Sequence, residues 1–342
     1  MILVTGGLGF IGSHVALSLM ASGHEVIIVD NQTNSNFQTL ERLEKISGMY
    51  IPYVKVDLRN TPALTKVFEQ YTVDAVVHTA SFKSLDESKI KPLEYYNNNV
   101  NCTISLLRAM QRVGVRTLVN LSSLTVYGTS SLKLTEDSPI DYSFNNPYVR
   151  SMQMNEQIIH DHFSADLEWQ IANLRVSNVN GAFENNILGE HVPILPKNIL
   201  PMILQAANQQ RDHIEIHEYH DANLKDGSGE RSYLHIIDLC HAIIRTIYWL
   251  KTQNSVLTHF NIAHTETYSV RELIKIAEDV TDRSIQTTDV PYDGGLAQVG
   301  ADLNKVKDIL QWEPQLDIQR LVEDQWRYYL TSFNSSFNIA AS

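Results

Sequence analysis

Short, nearly continuous apolar runs alternate with longer stretches of helical spacing through the first half of the chain. Runs at 2–4, 25–29, 53–56, 75–78 and 117–121 read as strands. They lack polar alternation, as strands covered on both faces must. Between them, apolar residues recur at helical intervals over 11–22, 62–70, 92–113 and 148–163, and 167–175 reads as a sixth strand. Strand–helix alternation of this kind predicts βαβ units, and so an α/β fold with a Rossmann-type doubly wound parallel sheet.

After Arg175 the pattern changes. Residues 179–230 are rich in Asn, Gly, His and Pro, with one apolar helix at 199–207, and predict a smaller lobe over one end of the sheet. Strand and helix patterns return at 233–237, 239–250 and 259–262, and helical spacing follows at 270–280, 303–310 and 321–330. The lobes therefore interleave in this reading. Residues 1–176 with about 231–264 form the first, and about 177–230 with 265–331 form the second. The small, polar tail 332–342 is expected to be flexible.

Composition narrows the partners. Of 342 residues, 27 are basic and 39 acidic, giving a net charge of −12 with no Lys/Arg-rich block. That field repels nucleic acid and anionic membrane surfaces, although a local pocket can still take an anionic small molecule. No apolar stretch is long enough to cross a bilayer. The chain enters an apolar strand directly after Met1 without a charged leader, so a cytoplasmic protein is expected. The two cysteines, Cys102 and Cys240, have no metal-ligand spacing and are expected to be buried thiols.

The chemistry begins at Gly6-Gly7-Leu8-Gly9-Phe10-Ile11-Gly12, between the first strand and first helix. Glycines at 6, 9 and 12 permit a tight turn, close approach of backbone to a pyrophosphate, and close helix–strand packing. The helix start then offers free N–H groups and partial positive charge to phosphates. Asp30 ends the second strand eighteen residues after Gly12. A carboxylate there accepts both adenosine ribose hydroxyls and repels a 2′-phosphate, so the dinucleotide is NAD rather than NADP.

The fifth strand ends in Ser122-Ser123 and a helix starts at Tyr148, placing two hydroxyl-bearing residues where a doubly wound sheet binds ligands. With the glycine turn, these features resemble the extended short-chain dehydrogenase/reductase family. The resemblance narrows to UDP-hexose 4-epimerases of the UDP-glucose/UDP-galactose type. It is carried by Thr5 to His14, Asp30-Asn31, Asp57-Leu58-Arg59-Asn60, Lys91-Pro92-Leu93-Glu94-Tyr95-Tyr96, Asn98-Asn99-Val100-Asn101, Thr125-Val126-Tyr127-Gly128 and the stretch from Asp226 through Arg231 to Asp238. It implies an isomerase in which Tyr148 takes the proton of the sugar 4-hydroxyl, Ser123 bonds the same oxygen, and NAD accepts and returns hydride at C4. It further implies Asp57 and Leu58 beside the adenine, Lys83 in the cleft, and Asn98 holding the active-site loop. Asn178, Asn198 and His217 would meet the uridine diphosphate portion, and Arg231 its diphosphate. Family members commonly dimerise through the helices here at 92–113 and 148–163.

Several positions depart from the family pattern. Its Tyr-x-x-x-Lys motif reads Tyr148-Val149-Arg150-Ser151-Met152, so methionine replaces the lysine that binds the nicotinamide ribose and holds the tyrosine pKa down. A free phenol titrates near 10. Loss of the ammonium and its hydrogen bonds, roughly 1.5–3 kcal/mol, implies a rate deficit on the order of a hundred- to ten-thousand-fold. Arg150 sits on another face of the helix and is no substitute. Val176-Ser177-Asn178 replaces Tyr-Phe-Asn. Pro291-Tyr292-Asp293-Gly294-Gly295 replaces a diphosphate-gripping Arg-Arg-Glu-Gly-Asp, with Asp293 adding charge of the wrong sign. These changes leave open a catalytically inactive NAD-binding protein that acts through ligand sensing or partners. A 4,6-dehydratase would need Asp-Glu where Leu124-Thr125 stands.

Overall fold

A computed structural model describes residues 1–129, 131–184, 186–191, 196, 198–219, 221, 224–292 and 295–340, the stretch 333–340 by backbone alone. The expected alternation is realised as β1 (Ile2–Thr5), α1 (Phe10–Ala21), β2 (Val26–Asp30), α2 (Gln38–Ser47), β3 (Tyr53–Lys55), α3 (Thr61–Gln70) and β4 (Ala75–His78). Next come α4 (Leu85–Ile90), α5 (Pro92–Val113) and β5 (Thr117–Ser123). A 3₁₀ turn (Leu124–Tyr127) leads to β6 (Ser131–Leu134), α6 (Pro147–Ala165), β7 (Gln170–Val176) and β8 (Asn178–Asn180). The remainder comprises α7 (Ile199–Ala207), β9 (Ile214–Glu218), β10 (Glu230–His235), α8 (Ile236–Leu250), β11 (Val256–Ile262) and β12 (Thr267–Ser269). It closes with α9 (Val270–Thr281), β13 (Thr287–Pro291), β14 (Gln298–Ala301), α10 (Asn304–Leu310) and α11 (Ile318–Ala340).

Seven parallel strands form the main sheet in the order β11-β7-β5-β4-β1-β2-β3. Successive residues of β1 enter opposite faces, as strand geometry requires. Ile2 and Val4 join the core that contains α1 and α8, while Leu3 joins the core that contains α3 and α5. Both faces are covered, which is why these strands read as unbroken apolar runs. The order reverses at β1, so β2 and β4 leave it on opposite sides and open a crevice at its carboxyl end.

A smaller sheet, β12-β10-β14-β6 with β8 beside β10, takes every strand but β6 from beyond β7, and the pair β13-β9 forms in the chain's second half. Their core gathers Leu204, Ile216, Leu273, Leu321 and Trp326 from α7, β9, α9 and α11.

Some elements were not visible in the sequence pattern. The α2 helix buries only Leu40 and Leu43, and α4 is six residues long, capped by the Ser84 hydroxyl accepting from Glu87 N–H. The strand expected at 233–237 starts at Glu230 and stops at His235, whose ring accepts the Ile237 N–H and caps α8. Of the terminal stretch 332–342, residues to Ala340 continue α11, and 341–342 lie outside the described residues. No helix among the described residues is long and apolar enough to cross a membrane, and Cys102 and Cys240 are free and buried.

Candidate active site

The glycine turn is shaped so that side chains cannot occupy it. Gly6 has φ +65°, where a Cβ would lie 2.9 Å from Ala80 Cα; one at Gly12 would lie 2.2 Å from the Gly6 carbonyl oxygen. The Gly9 N–H closes the turn on that same carbonyl at 3.0 Å. Gly9 is the N-cap of α1 and supplies no side-chain cap. The first-turn N–H groups, those of Phe10 and Ile11 included, are therefore presented for an anion.

Asp30 is buried beneath this turn. Its carboxylate accepts the Leu8 N–H at 3.1 Å, the Gln32 N–H at 2.7 Å and the Ser35 hydroxyl at 2.7 Å. Three fixed donors hold a carboxylate at the tip of β2. Beyond it the Asn31 amide donates to Asp57 at 3.3 Å. Arg59 forks onto the same carboxylate at 2.6 and 2.9 Å, which holds Asp57 down at about 2, and Leu58 is buried alongside. A turn closed to a Cβ at Gly6 and Gly12, an uncapped helix start and a pinned carboxylate fit an adenine dinucleotide.

The two residues expected to react lie at the end of β5 and the start of α6. Ser123 ends β5, with its hydroxyl 2.9 Å from Thr125 Oγ1 and accepting the Thr125 N–H at 3.2 Å. Tyr148 follows Pro147 at the start of α6, whose N-cap Asn146 accepts the Val149 N–H at 3.2 Å. Asn146 also donates to the Leu85 carbonyl at 3.0 Å and accepts the Ser88 hydroxyl at 3.2 Å, tying α6 to α4. The Tyr148 ring meets Tyr95 edge to face at 6.5 Å. Burial pushes the Tyr148 phenol above its ordinary value, and the Ser123 hydroxyl opposes that shift. Among the described residues no cation contributes. Met152, one turn further, is buried in the apolar cluster that also takes Tyr148.

Two predicted residues meet through a third that sequence reasoning missed. Lys83 lies 5.9 Å from the Phe10 ring centre and pairs with Glu190 at 2.8 Å. The Asn198 amide donates to the same Glu190 oxygen at 3.3 Å. Asn98 donates to Asn99 at 3.1 Å, and the direct grip on the loop is the buried Asn99. Its amide accepts the Phe82 N–H at 2.8 Å and donates to the Phe82 carbonyl at 3.1 Å and to Ser151 at 2.9 Å. Asn99 lies in a run of asparagines with nothing local to mark which one turns inward.

A cavity of about 430 Å3 opens above Ser123 and Thr125. Asn178, His217 and Arg231 line it, and Asn198 is not among its lining residues. The His217 ring stacks on Tyr292 at 4.3 Å and 11°, and Tyr219 meets Tyr292 edge-on at 5.2 Å. Arg231 donates to the carbonyls of Glu230 at 2.8 Å, Ala297 at 2.9 Å and Leu296. Tyr219, Lys89 and Asp86 also line the cavity and were not anticipated. Asp293, expected to add adverse charge here, lies outside the described residues.

Known proteins resemble the chain along nearly its whole length. The family model described as the NAD dependent epimerase/dehydratase family matches residues 2–263. The chain is 35% identical to UDP-glucose 4-epimerase of Bacillus subtilis over 341 residues, covering 97% of this chain and 98% of that protein. It is 36% identical to UDP-glucose 4-epimerase 2 of Arabidopsis thaliana, covering 100% and 99%. Among solved structures, the Stenotrophomonas maltophila UDP-glucose-4-epimerase with bound NAD and formylated UDP-arabinopyranose superposes with a TM-score of 0.93 at 32% identity, covering 98% and 99%. The Bifidobacterium longum enzyme in complex with NAD+ and UDP gives 0.91 at 33% identity, covering 97% and 99%. With a cradle built for the dinucleotide and near-complete coverage by these relatives, the chain belongs to the NAD-dependent epimerase/dehydratase family, and NAD is its cofactor.

Proposed function

We propose that this protein is a UDP-hexose 4-epimerase of the UDP-glucose/UDP-galactose type, working in the cytoplasm as a homodimer. The observation that carries the reading is Ser123 at the carboxyl end of β5, lining a cavity that Arg231 also lines, with its hydroxyl acting on the buried phenol of Tyr148 at the start of α6. NAD, when bound, supplies the acceptor and donor of hydride at sugar C4. The chain's own residues do the rest. Tyr148 removes the 4-hydroxyl proton and later returns it, and Ser123 bonds that oxygen throughout, holding C4 toward the cofactor. Gly6, Gly9 and Gly12 admit the pyrophosphate, Asp30 the ribose, and Asp57, Leu58 and Asn31 the adenine side. Lys83 lines the cleft, and Asn98 helps hold the active-site loop through Asn99. Asn178, His217 and Arg231 hold the uridine diphosphate. For the dimer, α5 and α6 lie side by side with Asn101 and Met154 exposed along them. Light scattering that returns a dilute monomer would remove that part of the proposal.

One observation favours a second reading, an NAD-binding protein without turnover. Met152 is buried at the position one turn beyond Tyr148, and among the described residues no cation is seen to lower the phenol. Incubation of the purified protein with UDP-galactose decides between them. The first reading expects UDP-glucose to accumulate toward equilibrium; NAD-loaded protein that leaves the sugar unchanged establishes the second.

A further inference from the structure

We propose that Lys89, on α4, is a binding residue of the cavity and supplies, together with Arg231, the positive charge that receives the diphosphate of a nucleotide sugar. The proposal rests on the reading of the cavity as a nucleotide-sugar site.

Arg231 alone is poorly placed for a doubly charged group. Both protons of its Nη1 are committed to the Glu230 and Ala297 carbonyls, and Nη2 donates to Leu296. Those bonds fix the guanidinium in place and leave few donors for a ligand. Lys89 lines the same cavity. Both cations act on the Tyr219 phenol, opposing the upward push of burial, so the two charges share one neighbourhood. Asp86 is the carboxylate that lines this cavity among the described residues, and it sits 3.6 Å from the Lys89 ammonium. An i,i+3 pair with side-chain exposures of 84% and 49% contributes little. The ammonium can therefore leave Asp86 for a stronger anion.

The stem beneath Lys89 is firmly held. Ser84 caps α4, and Asn146 binds both the Leu85 carbonyl and the Ser88 hydroxyl. Asn146 is also the N-cap of the helix that carries Tyr148. The backbone of Lys89 is thus registered to the reacting pair, while its ammonium stays free to turn into the cavity. A flexible ammonium complements a fixed guanidinium, since one adapts and the other orients.

The test is calorimetric titration of the NAD-loaded protein with UDP, and with uridine as a probe lacking phosphate. Lys89→Ala is expected to weaken UDP binding about tenfold or more and leave uridine binding unchanged. Lys89→Arg is expected to keep most of the affinity. Asp86→Asn, which releases the ammonium, is expected to tighten UDP binding a few-fold. Lys89→Ala with wild-type affinity for UDP overturns the proposal alone. Wild-type protein that takes up neither probe overturns both the proposal and the nucleotide-sugar reading beneath it.

Discussion

Met152 lies one helical turn beyond Tyr148 on α6, and both side chains are buried in one apolar cluster. A phenol in that setting is harder to ionise than a free one, because burial penalises the anion and, among the described residues, Ser123 alone opposes the shift. The working form of a base is its deprotonated form. Turnover should therefore climb with pH above neutrality and still be climbing at about pH 9. Met152→Lys should move that rise to lower pH and increase the rate at pH 7 at least about tenfold. Superimposable pH–rate profiles for the two proteins would mean that residue 152 does not govern the base.

Gly12 tests the cradle. A methyl group there meets the Gly6 carbonyl at 2.2 Å, so Gly12→Ala must open the turn. The variant is expected to retain less than about one-tenth of the wild-type NAD, measured by chromatography of nucleotide released on denaturation. Asp30→Asn keeps the shape of the turn and should lower NAD retention by weakening the ribose contact. Full occupancy in both would place the dinucleotide elsewhere.

The first domain was readable because burial is written into its sequence. All four residues of β1 are buried, and they appear as Ile2-Leu3-Val4-Thr5. The glycine turn and Asp30 are local in sequence and recognisable by chemistry alone. Other features are made by distant contacts and leave no local trace. The amide that grips Phe82 is one asparagine among neighbours of the same type, and tertiary packing selects Asn99. Glu190 joins Lys83 to Asn198 across 107 and 8 residues of sequence. The α4 helix is too short for a periodic signal, yet it brings Asp86 and Lys89 to the cavity.

Behind the reacting serine, a buried ion pair fixes α6 against the sheet. Glu156 accepts from Arg175 Nη2 at 2.8 Å and from the Ser122 hydroxyl, and both charged side chains are almost fully buried. Removing one partner strands the other charge, so Glu156→Ala should cost about 3–5 kcal/mol in denaturant unfolding. The double variant Glu156→Ala/Arg175→Met should recover most of that loss. A double variant no more stable than the single one would show that the pair is not the source of the cost.

Buried histidines predict acid sensitivity. Burial lowers His14 and His78 to about 4, and His78 Nδ1 and Nε2 lie 2.8 and 3.3 Å from Thr5 Oγ1 and Thr103 Oγ1. Between the ordinary imidazole value near 6.5 and about 4, the unfolded chain binds protons that the folded chain refuses. Stability is therefore complete above that window and falls as pH drops through it, by up to roughly 1.4 kcal/mol per pH unit for each imidazole. Unfolding free energies at pH 7, 5.5 and 4.5 check this. His78→Asn should flatten the slope, and an unchanged slope would assign the effect to other groups.

The most direct test of the central claim, hydride removal and return at sugar C4, uses UDP-galactose deuterated at that carbon. The account predicts UDP-glucose with deuterium retained at C4, seen by mass spectrometry and proton NMR, and a slower rate than with protium. Product that has lost the label to solvent, or NAD-loaded protein that forms no product, would contradict it.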